Sequence, residues 1–145
     1  MTLAKRPPPD LFKLSTNSWT KPFWDAATRH VLVCAQCRAC GVFRMPPTPF
    51  CPACQSQAID WPALSGRGSV YSYTVVERAI FPGMEGHLPY VPAVIELEGA
   101  PGVRLISNVV DAHVEHIAVG LAVTVVWDDH PHGVAVPRFA PVADL

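Results

Sequence analysis

The sequence is short of charge. Only 16% of its 145 residues are charged while half are hydrophobic, and residues 66–145 contain no lysine at all. A small domain has much surface to cover, so either its core is well filled or a partner covers apolar surface. Residues 66–145 set four arginines against nine acidic residues, a balance of −5. Nucleic-acid affinity is largely phosphate neutralisation, so an acidic C-terminal half argues against that partner. No apolar run approaches the roughly 18 residues of a membrane span. The opening MTLAKRPPPD has no apolar signal stretch. The expectation is a cytoplasmic protein without membrane contact. Serine elbow, phosphate loop and carboxylate pair are all missing. His87, His113, His116, His130 and His132 are scattered candidates, of which His113 and His116 share a helical spacing. No residue is assigned a catalytic role.

Proline, by contrast, is abundant, with sixteen residues that include Pro7–Pro9, Pro46–Pro47, Pro49 and Pro52. Proline fixes φ and breaks helices, which favours short strands and ordered loops over a helical bundle. Charge is split along the chain, +5 over residues 1–78 and −6 over residues 79–145.

Residues 1–18 read as a flexible lead with little core material. Residues 19–30 read as a short helix capped by Thr20 with Pro22 in its first turn. Its Trp19, Phe23 and Trp24 either pack the helix down or grip a partner. His30–Val33 reads as a strand leading into a cysteine-rich segment that ends at residue 60. From Gly66 the pattern is strand-like: Val70–Arg78, then a hairpin of Ala93–Glu98 and Val103–Val110 around a Gly99–Gly102 turn, then Leu121–Trp127 and Val134–Phe139. Asp111–Val119 reads as one or two helical turns capped by Asp111. Five strands with a short helix after the third fit an OB-type barrel, and a five-stranded sandwich remains the alternative. The division is therefore 1–30 tail and helix, 31–60 cysteine module and 61–145 barrel.

The cysteines carry the strongest signal. Cys37-Arg-Ala-Cys40-Gly41 and Cys51-Pro-Ala-Cys54 are two C-x2-C pairs, and each pair can place two sulfurs on one ion. Zinc with four thiolates has no open position and is structural. Cys34 and Cys37 form a competing pair. Gly41 favours Cys37/Cys40, because a turn that carries thiolates often ends in a residue of positive φ. Cys34 then acts as a small buried hydrophobe. Metal-free buried thiols are the bland alternative, and a redox pair would want a βαβ context that is absent.

Taken together, Phe23-Trp24-Asp25, the cysteine pairs, Met45-Pro46-Pro47, Ser65 to Val76, Arg104 to Val109, Gly120 and Pro137 to Pro141 resemble the family called domain of unknown function 35. The resemblance runs from about residue 20 to 142, and Cys34 is a departure from it. It implies an N-terminal helix, a rubredoxin-like zinc ribbon and a five-stranded OB-fold. It also implies a non-catalytic partner of a thiolase-like, aldolase-like, hydratase-like or other acyl-CoA-processing enzyme, in a hetero-oligomer where it helps guide acyl-CoA.

Two further features bear on that expectation. The segment Ala79–Pro92 is long and apolar, with Ile80, Phe81, Met84, Leu88 and Tyr90, and it either folds over the barrel end or covers a pocket or partner. Arg38, Arg44 and Arg67 are the candidate contacts for CoA phosphates, since the arginine fork suits phosphate oxygens, although solvated arginine is the commoner fate. The rival reading is a single-stranded nucleic-acid binder that stacks bases on Tyr71 and Tyr73.

Overall fold

Asn17 and Pro22 set where the first element begins. Asn17 Oδ1 accepts hydrogen bonds from the N–H groups of Trp19 (2.9 Å) and Thr20 (3.0 Å). Pro22 lacks a donor that would have no helical partner there anyway. Helix α1 (Lys21–Thr28) follows in the computed structural model, which describes residues 2–142. Thr20 holds the N-cap position but its side chain makes no capping bond; Asn17 instead braces the turn that leads into the helix. Phe23, Ala26 and Ala27 form the buried face. Phe23 and Trp24 meet edge to face at 5.1 Å, so these two aromatics pack the helix down.

The helix ends in a Schellman motif. Val31 N–H donates to Ala26 O (3.1 Å), His30 N–H donates to Ala27 O (2.8 Å), and His30 takes a positive φ of 57°. This closure is why the expected strand at His30–Val33 does not form, and Val33 makes only one bridge, to Ala63. The first strand comes later. β1 (Ala35–Cys37), β2 (Phe43–Arg44) and β3 (Ile59–Asp60) form a small antiparallel sheet in the order β2-β1-β3.

Five longer strands close into a barrel: β4 (Arg67–Tyr73), β5 (Val91–Leu97), β6 (Arg104–Val109), β7 (Ala122–His130) and β8 (Val134–Pro141). Their order is β4-β5-β6-β8-β7, and β7 pairs back onto β4. Every pairing is antiparallel except β6 with β8, which meet in parallel at Val109 and Phe139. This is the OB-fold, and it excludes the sandwich. The β5–β6 hairpin is as the alternation suggests, with Ala93, Ile95 and Leu97 buried.

The first barrel strand starts and stops earlier than Val70–Arg78. Gly68 permits it, because a Cβ there would strike Glu96 O and come within 2.9 Å of Ile95 Cγ2. The register then slips between Val70 and Ser72, and beyond Tyr73 the chain leaves the ladder, apart from a bridge between Val76 and Tyr90.

The lead is not a loose tail. Ala4 N–H donates to Ala112 O (2.8 Å), Val114 N–H to Thr2 O (2.9 Å) and Lys5 N–H to Pro89 O (2.9 Å), and Ala4 is 2% exposed. The first of these bonds takes the Ala112 carbonyl, an acceptor that the expected Asp111–Val119 helix would need. Asp111 instead has a φ of 55°, and only a 3-10 turn over Val114–His116 forms.

Val70, Val91, Ile95, Val109, Val123 and Phe139 are fully buried in the barrel. Leu32, Val33 and Cys34 belong to the same apolar cluster, so the cysteine module and barrel share a core. Among the described residues, no helix is long and apolar enough to cross a membrane.

Candidate metal centre

Two matching turns build the cysteine site. In the first, Gly41 N–H donates to Cys37 O (2.9 Å), Cys37 N–H donates to Val42 O (2.8 Å), and Gly41 has φ 80°. In the second, Gln55 N–H donates to Cys51 O (2.9 Å), Cys51 N–H donates to Ser56 O (2.9 Å), and Gln55 has φ 67°. Each turn thus ends in a left-handed residue four positions after its first cysteine. Glycine does this without steric cost and glutamine does not. Replacing Gln55 with glycine should therefore raise stability by about 1 kcal/mol. Gly41→Ala should lower it by a similar amount, and thermal melts of both variants check the pair.

The turns bring four sulfurs together. Cys37 Sγ lies 3.6 Å from Cys54 Sγ, Cys40 Sγ lies 3.5 Å from Cys51 Sγ, and all four fall within 4.8 Å of one another. Tetrahedral zinc at ~2.3 Å from each sulfur would space them about 3.8 Å apart, so the residues fit the ion. Charge points the same way. The backbone N–H of Cys40 leads a set of hydrogen bonds that hold the Cys37 thiol down to about 6, and Cys51 is lowered chiefly by the N–H of Cys54. At Cys40 the N–H of Val42 also lowers, but burial and the neighbouring thiols, Cys51 foremost, prevail and push it up to about 12. Thiolates this close cannot all ionise without a cation between them. Among the described residues this is the one cluster of three or more metal-ligating groups.

Cys34 lies outside the cluster. It is fully buried with its sulfur facing Ala35 O (3.8 Å) and Arg44 O (3.9 Å), and burial pushes its thiol up to about 11. The arginines fare differently from one another. Arg38 is committed to Asp60 (Nε–Oδ1 2.9 Å) and Ile59 O. Arg44 is 5% exposed and donates Nε to Thr48 O (2.9 Å), so it presents no fork to a surface phosphate. Arg67 is exposed.

Tyr71 is 47% exposed, but the Arg104 guanidinium sits 3.8 Å over its ring and takes up one of its two faces. His113 and His116 do meet, edge to face at 5.8 Å, without a third ligating group. In the Ala79–Pro92 segment Met84 is buried, whereas Ile80 and Phe81 point outward.

The same two modules are found in known proteins. The rubredoxin-like zinc ribbon domain of ChsH2 matches residues 24–60, and the C-terminal OB-fold domain of ChsH2 matches residues 61–128. A DUF35 domain-containing scaffold protein of Methanocaldococcus jannaschii is 36% identical over 100 residues, which cover 68% of this chain and 69% of that protein. The chain belongs to the DUF35 family. A solved structure described as Ltp2-ChsH2(DUF35) aldolase contains a chain that superposes with a TM-score of 0.81 at 33% identity, covering 90% of this chain and all of that one. A probable enoyl-CoA hydratase alpha subunit of Thermomonospora curvata is 38% identical over 120 residues, but this chain spans only 36% of its length.

This DUF35 chain also carries a polar cluster that no sequence pattern announced. Asp128 receives Arg138 Nε (3.2 Å), lies 3.1 Å from His130 Nε2, and is 3.6 Å from Arg6 Nη1. Arg138 Nη1 donates to the buried Asn108 Oδ1 (2.8 Å). Burial of Asp128 works to raise its pKa, but the His130 contact and the Arg138 charge outweigh it and hold the carboxyl below its ordinary 3.8. A folded-state pKa below the unfolded one stabilises the fold above the unfolded value, and that contribution is lost as pH falls through the folded value. Stability should therefore fall as pH drops below the ordinary carboxylate range. Asp128→Asn should be less stable at neutral pH and flatter in its acid limb, as urea midpoints across pH would show.

Proposed function

We propose that this chain is a non-catalytic accessory subunit of an acyl-CoA-processing enzyme of thiolase-like, aldolase-like or hydratase-like type. The observation that carries the reading is the match, over 90% of this chain, to a chain of the structure described as Ltp2-ChsH2(DUF35) aldolase. In this reading Cys37, Cys40, Cys51 and Cys54 hold one structural zinc ion. Bound zinc would supply a rigid crosslink and no reactive position, because four thiolates complete its shell. The ribbon would then stand as a fixed lobe against the barrel whose core it shares.

Electrostatics support docking to a partner of complementary charge, since the two halves of the chain differ by +5 against −6. Arg67, exposed at the start of β4, is the remaining candidate among the three arginines for a CoA phosphate. The acidic barrel and the covered Tyr71 ring weigh against single-stranded nucleic acid.

Co-expression with thiolase-like, aldolase-like and hydratase-like acyl-CoA enzymes from the same organism tests the reading. One of these enzymes should co-purify with the chain at one zinc per accessory chain, and the association should weaken at high salt. A chain that elutes alone from all of them, with the enzymes fully active without it, would overturn the proposal.

A further inference from the structure

A cleft of about 1050 Å³ lies apart from the cysteines, and three segments that are distant in sequence build it. One wall is the lead from Pro7 to Ser15. A second is the Ala79–Pro92 segment, through Phe81, Met84 and Tyr90. The third is the outer end of the β7–β8 hairpin. In that hairpin His130 pairs with Val134 and Asp128 with Val136, and opposed residues in an antiparallel pair point to one face. His130, Val134, Val136 and Arg138 accordingly line the cleft together.

The lining is mainly apolar, with Asp10, Lys13 and Ser15 on the lead wall and a half-buried polar corner on the hairpin. At that corner Arg138 is held on two sides, by Asp128 at Nε and by Asn108 at Nη1, and no hydrogen bond among the described residues uses Nη2. The Asn108 Nδ2 beside it is buried and without a partner. The result is a pre-set donor edge at the end of an oily cleft, in a volume of the size that takes a small molecule. The opposite wall is made to admit one. The lead is tied down at Ala4, Lys5 and Arg6 and again at Asn17. Between these anchors the only hydrogen bond among the described residues is an internal turn, Leu11 N–H to Pro8 O. Phe12 and Phe81 touch edge to face at 5.7 Å yet are 72% and 47% exposed, an apolar pair facing water.

We propose that this cleft seats an acyl group, its carbonyl or carboxyl oxygens on Arg138 and His130 and its chain between the Phe12–Phe81 pair and Val134–Val136. That chemistry is shared by a free fatty acid and an acyl thioester. Choosing an acyl group over another apolar acid rests on the accessory-subunit reading, while the cleft and its donor edge do not.

Isothermal titration of the full, zinc-loaded chain tests it with three probes: decanoate below its micellar range, S-decanoyl-N-acetylcysteamine, and CoA without an acyl group. One of the decanoyl probes should bind saturably at one per chain, and CoA alone should not compete with it. Binding of decanoate alone assigns the site to free acids, and binding of the thioester assigns it to acyl thioesters. Val136→Trp fills the cleft from a half-buried wall position. It should weaken binding at least tenfold with zinc content and melting temperature kept. No binding of either decanoyl probe, or binding unchanged in Val136→Trp, overturns the site. Co-purification with the enzyme reads out separately. Ligand binding without co-purification sinks only the accessory reading, and co-purification without ligand binding sinks only the cleft.

Discussion

Replacing Cys51 with serine should strip the chain of its metal and unfold residues 31–60. The three strands of that module are two or three residues long, far too short to hold together on backbone bonds alone. Apparent structural zinc binding in small modules is of order 10–16 kcal/mol, comparable to the whole stability of a domain at about 5–15 kcal/mol. Cys51 is fully buried with its sulfur 3.5 Å from that of Cys40, so a serine oxygen there leaves three thiolates around an open position. Zinc per chain should fall from one toward zero, and amide exchange across the module should become fast. Because Leu32, Val33 and Cys34 pack into the barrel's own cluster, the barrel's melting temperature should drop as well. Cys34→Ser is the control. It places a hydroxyl in a fully buried site and should cost about 1–3 kcal/mol, yet keep the ion. A Cys51→Ser protein with stoichiometric zinc and an unshifted melt would falsify the four-thiolate site.

The contrast between Cys34 and Cys37 shows what could be read in advance. Local chemistry was legible: two C-x2-C pairs, a glycine after the first, alternation through Ala93–Leu97, and a glycine-rich turn before β6. Those signals lie within a few residues of the structure they dictate. Gln55 was not legible, although it plays the part of Gly41, because any residue can be held at positive φ when its neighbours over-determine it. The burial of Arg44 is not legible either, because an arginine in sequence carries no mark of it, and here it lies under the turn that accepts its Nε–H at Thr48. The lead from Thr2 to Arg6 has no periodic pattern at all. Its order comes from residues more than eighty positions away, Pro89 and Ala112 among them, which no local window contains. The closure of the barrel has the same character, since the parallel contact of β6 and β8 joins residues thirty positions apart.

Phe139→Ala should have the largest effect of any barrel substitution, and the reason lies in that closure. Among the register pairs described, β6 and β8 share only Val109 with Phe139. Val110 N–H donates to Phe139 O (2.8 Å) and Ser107 Oγ donates to Pro137 O (2.6 Å), so the seam is held by few bonds and by the ring beneath them. Phe139 is fully buried among Val70, Val91, Ile95, Val109 and Val123. Truncating a buried phenylalanine costs about 3–5 kcal/mol, the lost transfer free energy plus the cavity left by partial relaxation. The backbone bond at Val110 survives the change, so the topology should persist at much lower stability. Urea unfolding should show an earlier midpoint with an unchanged slope, because the surface exposed on unfolding is nearly the same. Phe139→Leu retains most of the volume and should lose well under half as much. Should Phe139→Ala cost less than about 1 kcal/mol, the ring would not be sealing the seam, and the hydrogen bonds at Val110, Ser107 and Asn108 would have to close the barrel without it.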